Sequence, residues 1–221
     1  MADKTGIEWT DATWNPTTGC DRVSPGCDNC YALTLAKRLK AMGSPRYQVD
    51  GRPETSGPGF GFTEHPDALE QPIRWTRPRR IFVNSMSDLF HSGISIEFLA
   101  EVFAVMSIAE HHTFQVLTKR PAIMRSVLTS PVPLAGGVGQ APFKLLVDWA
   151  RMNRGYPVLP DSRREDGTYA WPLPNVWLGT SVEDQKRASL RIPHLLETPA
   201  AVRFLSMEPL LGPVDLTDLA T

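Results

Sequence analysis

Short apolar runs alternate with amphipathic helical patterns over most of the chain from residue 80 onward. Four runs rich in β-branched and aromatic residues predict strands, at 80–84, 113–117, 176–178 and 202–205. Polar clusters and then helical patterns follow the first three runs, with Ser95 and Ser181 as predicted N-caps and Pro121 at a first helical position. Strands that alternate with helices predict an α/β fold whose right-handed crossovers form a parallel sheet, either open or curled toward a barrel.

The part of the chain before residue 80 predicts an extended opening, a cysteine-containing loop and one helix. Residues 7–19 mix tryptophan, asparagine, proline and threonine, which is typical of a short extended or turning segment. The helix after the last cysteine has its apolar side between Ala32 and Met42, and Asp28 or Asn29 is its predicted N-cap. Gly43 suits the left-handed position that follows the last helical turn.

Two long stretches, 45–71 and 131–174, are rich in proline, glycine and charge, and we interpret them as insertions in a single domain spanning 1–221. The first predicts a surface excursion rather than core. The second predicts a lid or a partner surface, with one helix over 142–152. A chain of 221 residues with 42% hydrophobic residues can bury one substantial core. Little sequence follows the last predicted strand, so the sheet is expected to lack its final strand.

The charge and hydropathy of the chain argue against general nucleic-acid binding and against a membrane span. The net charge is -1 and the pI is about 6.5, so the chain has no global basic field of the kind that attracts nucleic acid. No apolar run approaches the roughly 18 residues that span a bilayer, so a cytoplasmic protein without a membrane contact is the expectation. The best basic patch is interpreted as a solvated loop face rather than a nucleic-acid surface, and it consists of Arg74, Trp75, Arg77, Arg79 and Arg80.

Polar residues follow each of the predicted strands. Because ligands bind at the carboxyl ends of parallel strands, these residues are candidates for a binding site by position alone. They are Asn84, Ser85, Asp88, Lys119, Ser181 and Glu208. Each has a structural alternative: Ser181 as a helix cap, Asp88 as a brace of its turn, Lys119 as a surface charge and Glu208 as the ion-pair partner of Arg203 or Arg80.

The chemistry of the chain is concentrated in its three cysteines, Cys20, Cys27 and Cys30, which have the spacing C-x6-C-x2-C. Pro25 and Gly26 favour a turn that could bring the first thiolate back toward the close pair. A four-iron, four-sulfide cluster usually has four cysteine ligands, so three would leave one iron open. A small molecule with an amine and a carboxylate can chelate such an iron.

Two other interpretations of the cysteines stay open. Structural zinc also uses a C-x2-C half-site, but it normally needs a second pair of cysteines or histidines, and the five histidines form no such pair. An incidental trio without a metal is the other alternative. Three aromatic residues near the cysteines are expected to shield that loop or to pack on the first helix rather than to stack on a base: Trp9, Trp14 and Tyr31.

A resemblance to a known family rests on the run IEWTDATWNPTTGC-x6-CDNCYA, which starts at Ile7. It resembles the signature of a phage-associated family of unknown function, the phage gene-product 37 and gene-product 68 family, whose members are described by a three-cysteine motif. The likeness extends to NSMSDLFH from Asn84, VLTKRP from Val116, VWLGTSVED from Val176 and FLSMEPLLGPVDL from Phe204. More distantly, the layout is similar to the radical S-adenosylmethionine superfamily, and to its spore-photoproduct-lyase-like branch in particular.

The resemblance implies a partial (β/α) barrel of the radical S-adenosylmethionine type, with a [4Fe-4S] cluster on Cys20, Cys27 and Cys30 and S-adenosylmethionine as the second cofactor. It implies that Lys119 binds the methionine carboxylate, that Asn84, Ser85 and Ser181 bind the amine or ribose, and that Asp88 or Glu208 binds the ammonium or ribose hydroxyls. The expected activity is reductive cleavage of S-adenosylmethionine, fed by an external electron donor, with nucleic acid or a nucleotide as the expected substrate.

The alternative function belongs to another class. A zinc- or cluster-stabilised binding or adaptor protein of a phage or mobile-element system would use the same cysteines without turnover. Its partner would be a protein from a neighbouring gene.

Overall fold

The computed structural model describes residues 5–133, 139–156 and 170–217. Besides short 3₁₀ turns, the elements in chain order are β1 (Ala12–Trp14), β2 (Thr17–Thr18), α1 (Tyr31–Ala41), β3 (Thr63–Glu64), β4 (Arg80–Val83), α2 (Ile96–Ile108), β5 (Thr113–Thr118), α3 (Pro121–Thr129), β6 (Pro131–Pro133), β7 (Gln140–Pro142), α4 (Phe143–Asn153), β8 (Val176–Ser181), α5 (Gln185–Glu197) and β9 (Val202–Ser206). All four predicted strands are present, and none of the described helices is long and apolar enough to cross a membrane.

The main sheet is parallel throughout and has five strands in the order β1-β4-β5-β8-β9. Each new strand is therefore added on the same side of the previous one, and right-handed crossovers then place the connecting helices on one face. Among the described residues, β1 and β9 are the two edges and do not pair with each other. The predicted α/β class with a parallel sheet is confirmed, while no closed barrel is formed by these strands.

Alternation along the strands gives the two faces of the sheet different roles. One face packs against α2, α3 and α4 in the main hydrophobic core, to which the strands contribute Ile81, Val83, Phe114, Val116, Val176 and Leu178. The residues between them, Phe82, Gln115 and Trp177, point to the other face. Because the helices cover one face and leave the other, a site can form above the second face at the ends of the strands.

Two helices, α2 and α3, begin at the residues predicted from the sequence. Ser95 caps α2, since its side chain accepts a hydrogen bond from the backbone N–H of Phe98 at 3.3 Å, and Pro121 is the first residue of α3. Gly43 has a φ of 74°, the left-handed conformation expected after α1.

Two predicted caps are wrong. Asp28 and Asn29 do not cap α1, because Cys30 occupies the N-cap position without a side-chain hydrogen bond. Ser181 does not cap α5, because β8 continues as far as Ser181, and Asp184 instead accepts a hydrogen bond from the backbone N–H of Arg187 at 2.8 Å. The strand is longer than predicted because its end pairs with β9.

Both long insertions contribute more residues to the core than predicted. The end of the first returns to the core, where Leu69 is fully buried and the carbonyl of Ala68 accepts a hydrogen bond from the indole N–H of Trp14 at 2.8 Å. In the second, a helix forms where it was predicted, but its buried side, including Phe143 and Val147, belongs to the main core. A lid is thus the wrong description of α4. Residues 134–138 and 157–169 of that insertion lie outside the described part.

One buried histidine makes the stability of this core depend on pH. His112 is 1% exposed, its Nδ1 accepts a hydrogen bond from the backbone N–H of Arg79 at 3.2 Å, and its Nε2 lies 3.0 Å from the carbonyl of Pro72. These partners require an unprotonated Nδ1, so the neutral ring is the form that fits. Burial lowers the pKa of His112 below its ordinary value of 6.5.

We predict that the free energy of unfolding falls as the pH drops below about 6.5, because the unfolded chain takes up the proton that folded His112 resists. His112→Asn keeps a donor and an acceptor but cannot titrate. It should make the dependence shallower by up to about 1.4 kcal/mol per pH unit. Urea unfolding at a series of pH values measures this slope. The exposed neighbour provides the control variant His111→Asn, and equal slopes for His112→Asn and wild type would contradict the prediction.

Candidate functional site

A cavity of about 590 Å³ opens at the carboxyl ends of the parallel strands. The segments that follow β1, β4, β5, β8 and β9 all contribute to its walls. Its volume lies in the range of sites that hold cofactors and small molecules. The position is the one that the parallel topology predicts for a ligand.

All nine predicted site residues line this cavity. They are Cys20, Cys27, Cys30, Asn84, Ser85, Asp88, Lys119, Ser181 and Glu208. Residues from five separate strand ends therefore meet around one space, although their hydrogen bonding divides them into two groups.

The three cysteines are unpaired, partly buried thiols on the same wall. Cys20 lies 12 residues before Ala32, the first buried residue of α1. Its sulfur lies close to the charged side chains of Asp88 and Arg120. Cys27 ends a short 3₁₀ turn over Pro25–Cys27, and Cys30 immediately precedes α1. Burial, with the nearby Asp88 carboxylate, raises the pKa of Cys20 to about 12, against the opposing effect of Arg120. Cys20 is thus a neutral thiol unless a cation or metal compensates a thiolate.

In the described part of the chain, no three His, Cys, Asp or Glu side chains are grouped so that they could hold one metal ion. Such a group needs its donors at bonding distance from a single point. A four-iron cluster instead takes each thiolate on a different iron, so its sulfur ligands lie farther apart. The three thiols share a cavity, and their convergence on a bound cluster stays a prediction.

Several elements hold the segment of the first cysteine in place. Asp21 accepts hydrogen bonds from Thr55 and from Ser56, and its Oδ2 lies 3.0 Å from Nε2 of His91. The backbone N–H of Gly93 donates to Nδ1 of His91 at 3.1 Å, so Nε2 carries the proton that is donated to Asp21. The bonds from Thr55, His91 and Ser56 hold the pKa of Asp21 below its usual range.

A second contact supports the loop at Gly26. A Cβ added there would lie 3.0 Å from the carboxyl carbon of Glu183, which is fully buried and paired with Arg191 at 2.7 Å. The missing side chain at Gly26 thus lets the loop pass directly over this ion pair. The loop that carries Cys27 is therefore fitted to the end of β8 as well as to α1.

Asp88 has a structural role. Its Oδ1 accepts hydrogen bonds from the Thr118 hydroxyl at 2.7 Å and the Phe90 N–H at 3.0 Å. Its Oδ2 accepts from the backbone N–H of Lys119 at 3.0 Å and from Arg120 at 2.9 Å. Four internal donors occupy this carboxylate, so it braces the turn after β4 and has little capacity left for a ligand.

Asn84 and Ser85 are also engaged by the protein. Asn84 has a φ of 63°, and its amide donates to the hydroxyl of Thr17 at 2.9 Å. The hydroxyl of Ser85 exchanges hydrogen bonds with the side chain of Asn15 at 3.2 Å. These contacts join the segments after β1 and β4, which form one wall of the cavity.

Four other lining residues carry polar groups without partners among the described residues. No described residue forms an ion pair with Lys119 or Glu208, or a hydrogen bond with the hydroxyl of Ser181 or Ser206. The alternative partners of Glu208 are engaged elsewhere: Arg203 donates to backbone carbonyls near the end of α5, and Arg80 pairs with Asp11. A free ammonium, a free carboxylate and two hydroxyls therefore face the cavity.

The three aromatic residues predicted to shield the cysteines are distributed differently. Trp14 is fully buried in the main core on the other face of the sheet, so it cannot cover the cavity. Trp9 does line the cavity, packed edge-to-face on Phe82 at 4.9 Å. Tyr31 spans the gap between the cysteine loop and β4, since its hydroxyl donates to the carbonyl of Ser85 at 2.5 Å. Burial raises the pKa of Tyr31 to about 12.

The predicted basic patch lies at the other end of the sheet. Arg80 is the first residue of β4, whereas the cavity follows the last, and the Arg79 guanidinium is stacked 4.7 Å from the ring of Trp75. Arg74 lies 3.8 Å from Glu70. The patch is thus separated from the candidate site by the length of the strand.

The comparison with protein families gives one match, a family described as a protein of unknown function, DUF5131, over residues 4–221. The chain belongs to this family. No curated protein and no solved structure matches it. The family has no assigned function, so the geometry of the cavity has to carry the functional argument.

Three residues important for the site of this family member could not be assigned from the sequence: Arg120, Asp21 and Glu183. Arg120 was not among the predicted site residues, and a surface charge was one alternative for this segment, yet its side chain is only 9% exposed. A signal did exist, since Arg120 follows a strand directly and precedes a helix-starting proline. Asp21 gave no such signal, because its partners lie 34 or more residues away. Glu183 gave none either, although its partner Arg191 lies nearby in α5.

We predict that Gly19→Ala destabilises the protein more than Gly43→Ala. Both glycines have positive φ, 84° and 74°, so both substitutions carry a conformational penalty of about 1 kcal/mol. A Cβ at Gly19 would also lie 2.2 Å from the carbonyl oxygen of Gly61, while nothing lies within 4 Å of one at Gly43. Urea unfolding of both variants gives the comparison. Equal losses of stability would show that the chain before Cys20 is not tightly packed.

Proposed function

We propose that this protein binds a [4Fe-4S] cluster through Cys20, Cys27 and Cys30, binds S-adenosylmethionine beside it, and cleaves that cofactor reductively to act on a further substrate. The observation that carries the proposal is the composition of a single cavity. Three unpaired thiols line the same cavity as a lysine and a glutamate that have no ion-pair partner among the described residues.

The donor set favours a cluster over structural zinc. Zinc in structural sites takes four converging ligands from cysteine and histidine. No histidine is among the described residues that line the cavity, and His91, the histidine next to the cysteine loop, uses both ring nitrogens internally. Three thiolates suffice for a cluster with one open iron.

The unpartnered polar groups of the lining suit the amino-acid end of S-adenosylmethionine. Lys119 offers a positive charge to the methionine carboxylate, and Glu208 offers a negative charge to the ammonium group. Ser181 and Ser206 add hydroxyls that can bond to the ribose. Asp88, Asn84 and Ser85 instead keep this pocket in shape, because their hydrogen-bonding groups are used by the protein.

The remaining lining is apolar. Ile7, Trp9, Phe82 and Leu117 form an apolar part of the cavity that can exclude water from the reacting groups. A reduced cluster held by the three cysteines would supply one electron for cleavage of a carbon–sulfur bond of the sulfonium, which would give methionine and a 5'-deoxyadenosyl radical. The electron comes from an external donor, and the protein contributes binding, orientation and exclusion of water.

The arrangement of strands is compatible with a partial barrel of the radical S-adenosylmethionine type, and we propose that type for the fold. Sequential strand order and a ligand cavity at the carboxyl ends support it. The relationship to the phage gene-product family belongs to the same proposal, and rests on the cysteine motif. A nucleotide or nucleic acid remains the proposed substrate class, reached through the cavity rather than through the distant basic patch.

Anaerobic reconstitution with iron and sulfide tests the proposal. We expect wild-type protein to become brown, to contain about four irons per chain, and to release 5'-deoxyadenosine from S-adenosylmethionine when reduced. Cys27→Ala should lose the cluster absorbance, whereas Asp28→Asn, at an exposed position of the same loop, should retain it. A colourless wild-type protein that carries zinc and does not cleave S-adenosylmethionine would refute the enzyme and support the zinc-stabilised adaptor.

We also predict that Lys119→Gln weakens the binding of S-adenosylmethionine to the reconstituted protein. The loss of one charge-assisted contact is worth about 1.5–3 kcal/mol, which corresponds to an affinity about 10- to 100-fold lower. Equilibrium dialysis under anaerobic conditions measures it. Lys37→Gln, at an exposed position of α1, is the control. Unchanged affinity in Lys119→Gln would exclude Lys119 from the binding site.

A further inference from the structure

We propose that Arg120 is the positioning residue that holds the sulfur of Cys20 in place for the cluster and supplies a fixed positive charge beside that ligand. This inference rests on the proposed function. It concerns a residue that was not among the predicted site residues and that the proposed chemistry does not otherwise require.

The contacts of Arg120 carry the inference. Its Nη1 donates to Sγ of Cys20 at 3.3 Å and to Oδ2 of Asp88 at 2.9 Å, while its Nη2 donates to the backbone carbonyl of Asp21 at 3.0 Å. One guanidinium thus bonds to the first cysteine, to the residue after it and to the brace at the end of β4. The rigid fork of donors makes this possible, and a lysine could not reach all three groups.

Burial makes the arrangement specific. The side chains of Arg120 and Asp88 are 9% and 8% exposed, so neither charge is stabilised mainly by water. Asp88 is itself fixed by Thr118 and by backbone N–H groups, which means that the guanidinium cannot move away from Cys20 without leaving a buried carboxylate unpaired. The aspartate therefore orients the arginine, and the arginine orients the thiol.

An electrostatic consequence follows for a bound cluster. Reduction adds negative charge to a cluster, and hydrogen bonds and positive charges next to its sulfur ligands favour the reduced state. Arg120 should therefore raise the midpoint potential, which makes the cluster easier to reduce. A residue with only a structural role for the apoprotein would not shift that potential.

The test compares reconstituted wild type with Arg120→Gln and Arg120→Lys, and uses Arg125→Gln as the control, because Arg125 pairs at the surface with Glu197. Arg120→Gln should lose its cluster at a chelator concentration at least about tenfold lower than the one that wild type requires. Its remaining clusters should be reduced at a more negative potential in a titration followed by electron paramagnetic resonance. Arg120→Lys, which keeps a charge near Asp88, should lie between Arg120→Gln and wild type.

The outcomes separate the two proposals. If wild type assembles a cluster and both Arg120 variants match Arg125→Gln in chelator resistance and potential, the role of Arg120 is overturned while the proposed function stands. If wild type assembles no cluster, the proposed function fails and this inference fails with it. Should Arg120→Gln not fold, Arg120→Lys carries the same comparison, and wild-type values in that variant overturn the inference.

Discussion

A buried ion pair between Asp88 and Arg120 connects the three chain segments that build one wall of the cavity. Asp88 follows β4, Arg120 follows β5, and the guanidinium extends to the cysteine loop that follows β1. Removing one partner of such a buried pair typically costs about 3–5 kcal/mol, because the other charge is left without compensation. The positions of the strand ends and of the first cysteine are therefore fixed together.

The topology of the sheet explains why one ion pair can link these three segments. Consecutive strands are neighbours in one parallel sheet, so successive strand ends lie side by side at one edge. The helices pack on one face, which leaves the ends and the other face available for a site. Polar groups near β1 and β4 are used in internal hydrogen bonds, whereas Lys119, Ser181, Ser206 and Glu208 are left for a ligand by the described residues. The cavity is thus lined both by the thiols with their rigid hydrogen-bonded surroundings and by charges that stay available to a ligand.

The strands and the membership of the site were predictable because they depend on local patterns. Apolar runs located the strands, and parallel topology was enough to place Lys119 and Glu208 at one rim of the sheet, whereas only the family resemblance added the cysteines to that rim. The roles of the individual site residues were harder to predict from the sequence. Asp88 and Lys119 both follow strands, yet four internal donors engage the carboxylate and none of the described residues engages the ammonium.

Errors in the sequence-based predictions came from tertiary contacts that outweighed local preference. Ser181 is a good helix cap by type, but pairing with β9 extends the strand through it. Trp14 lies close to the cysteines in sequence, but alternation along β1 turns it into the core. Leu69 ends an insertion with loop-like composition, and it is nevertheless fully buried. In each case the decisive partner lies far away along the chain.

The central claim is that three thiols hold a cluster with one iron left for a small-molecule ligand. Mössbauer spectroscopy of protein reconstituted with iron-57 tests it most directly, with spectra recorded before and after addition of S-adenosylmethionine. About one quarter of the iron signal should change on addition, as expected for one open iron among four. A spectrum in which all irons stay equivalent and unaffected by S-adenosylmethionine would contradict it.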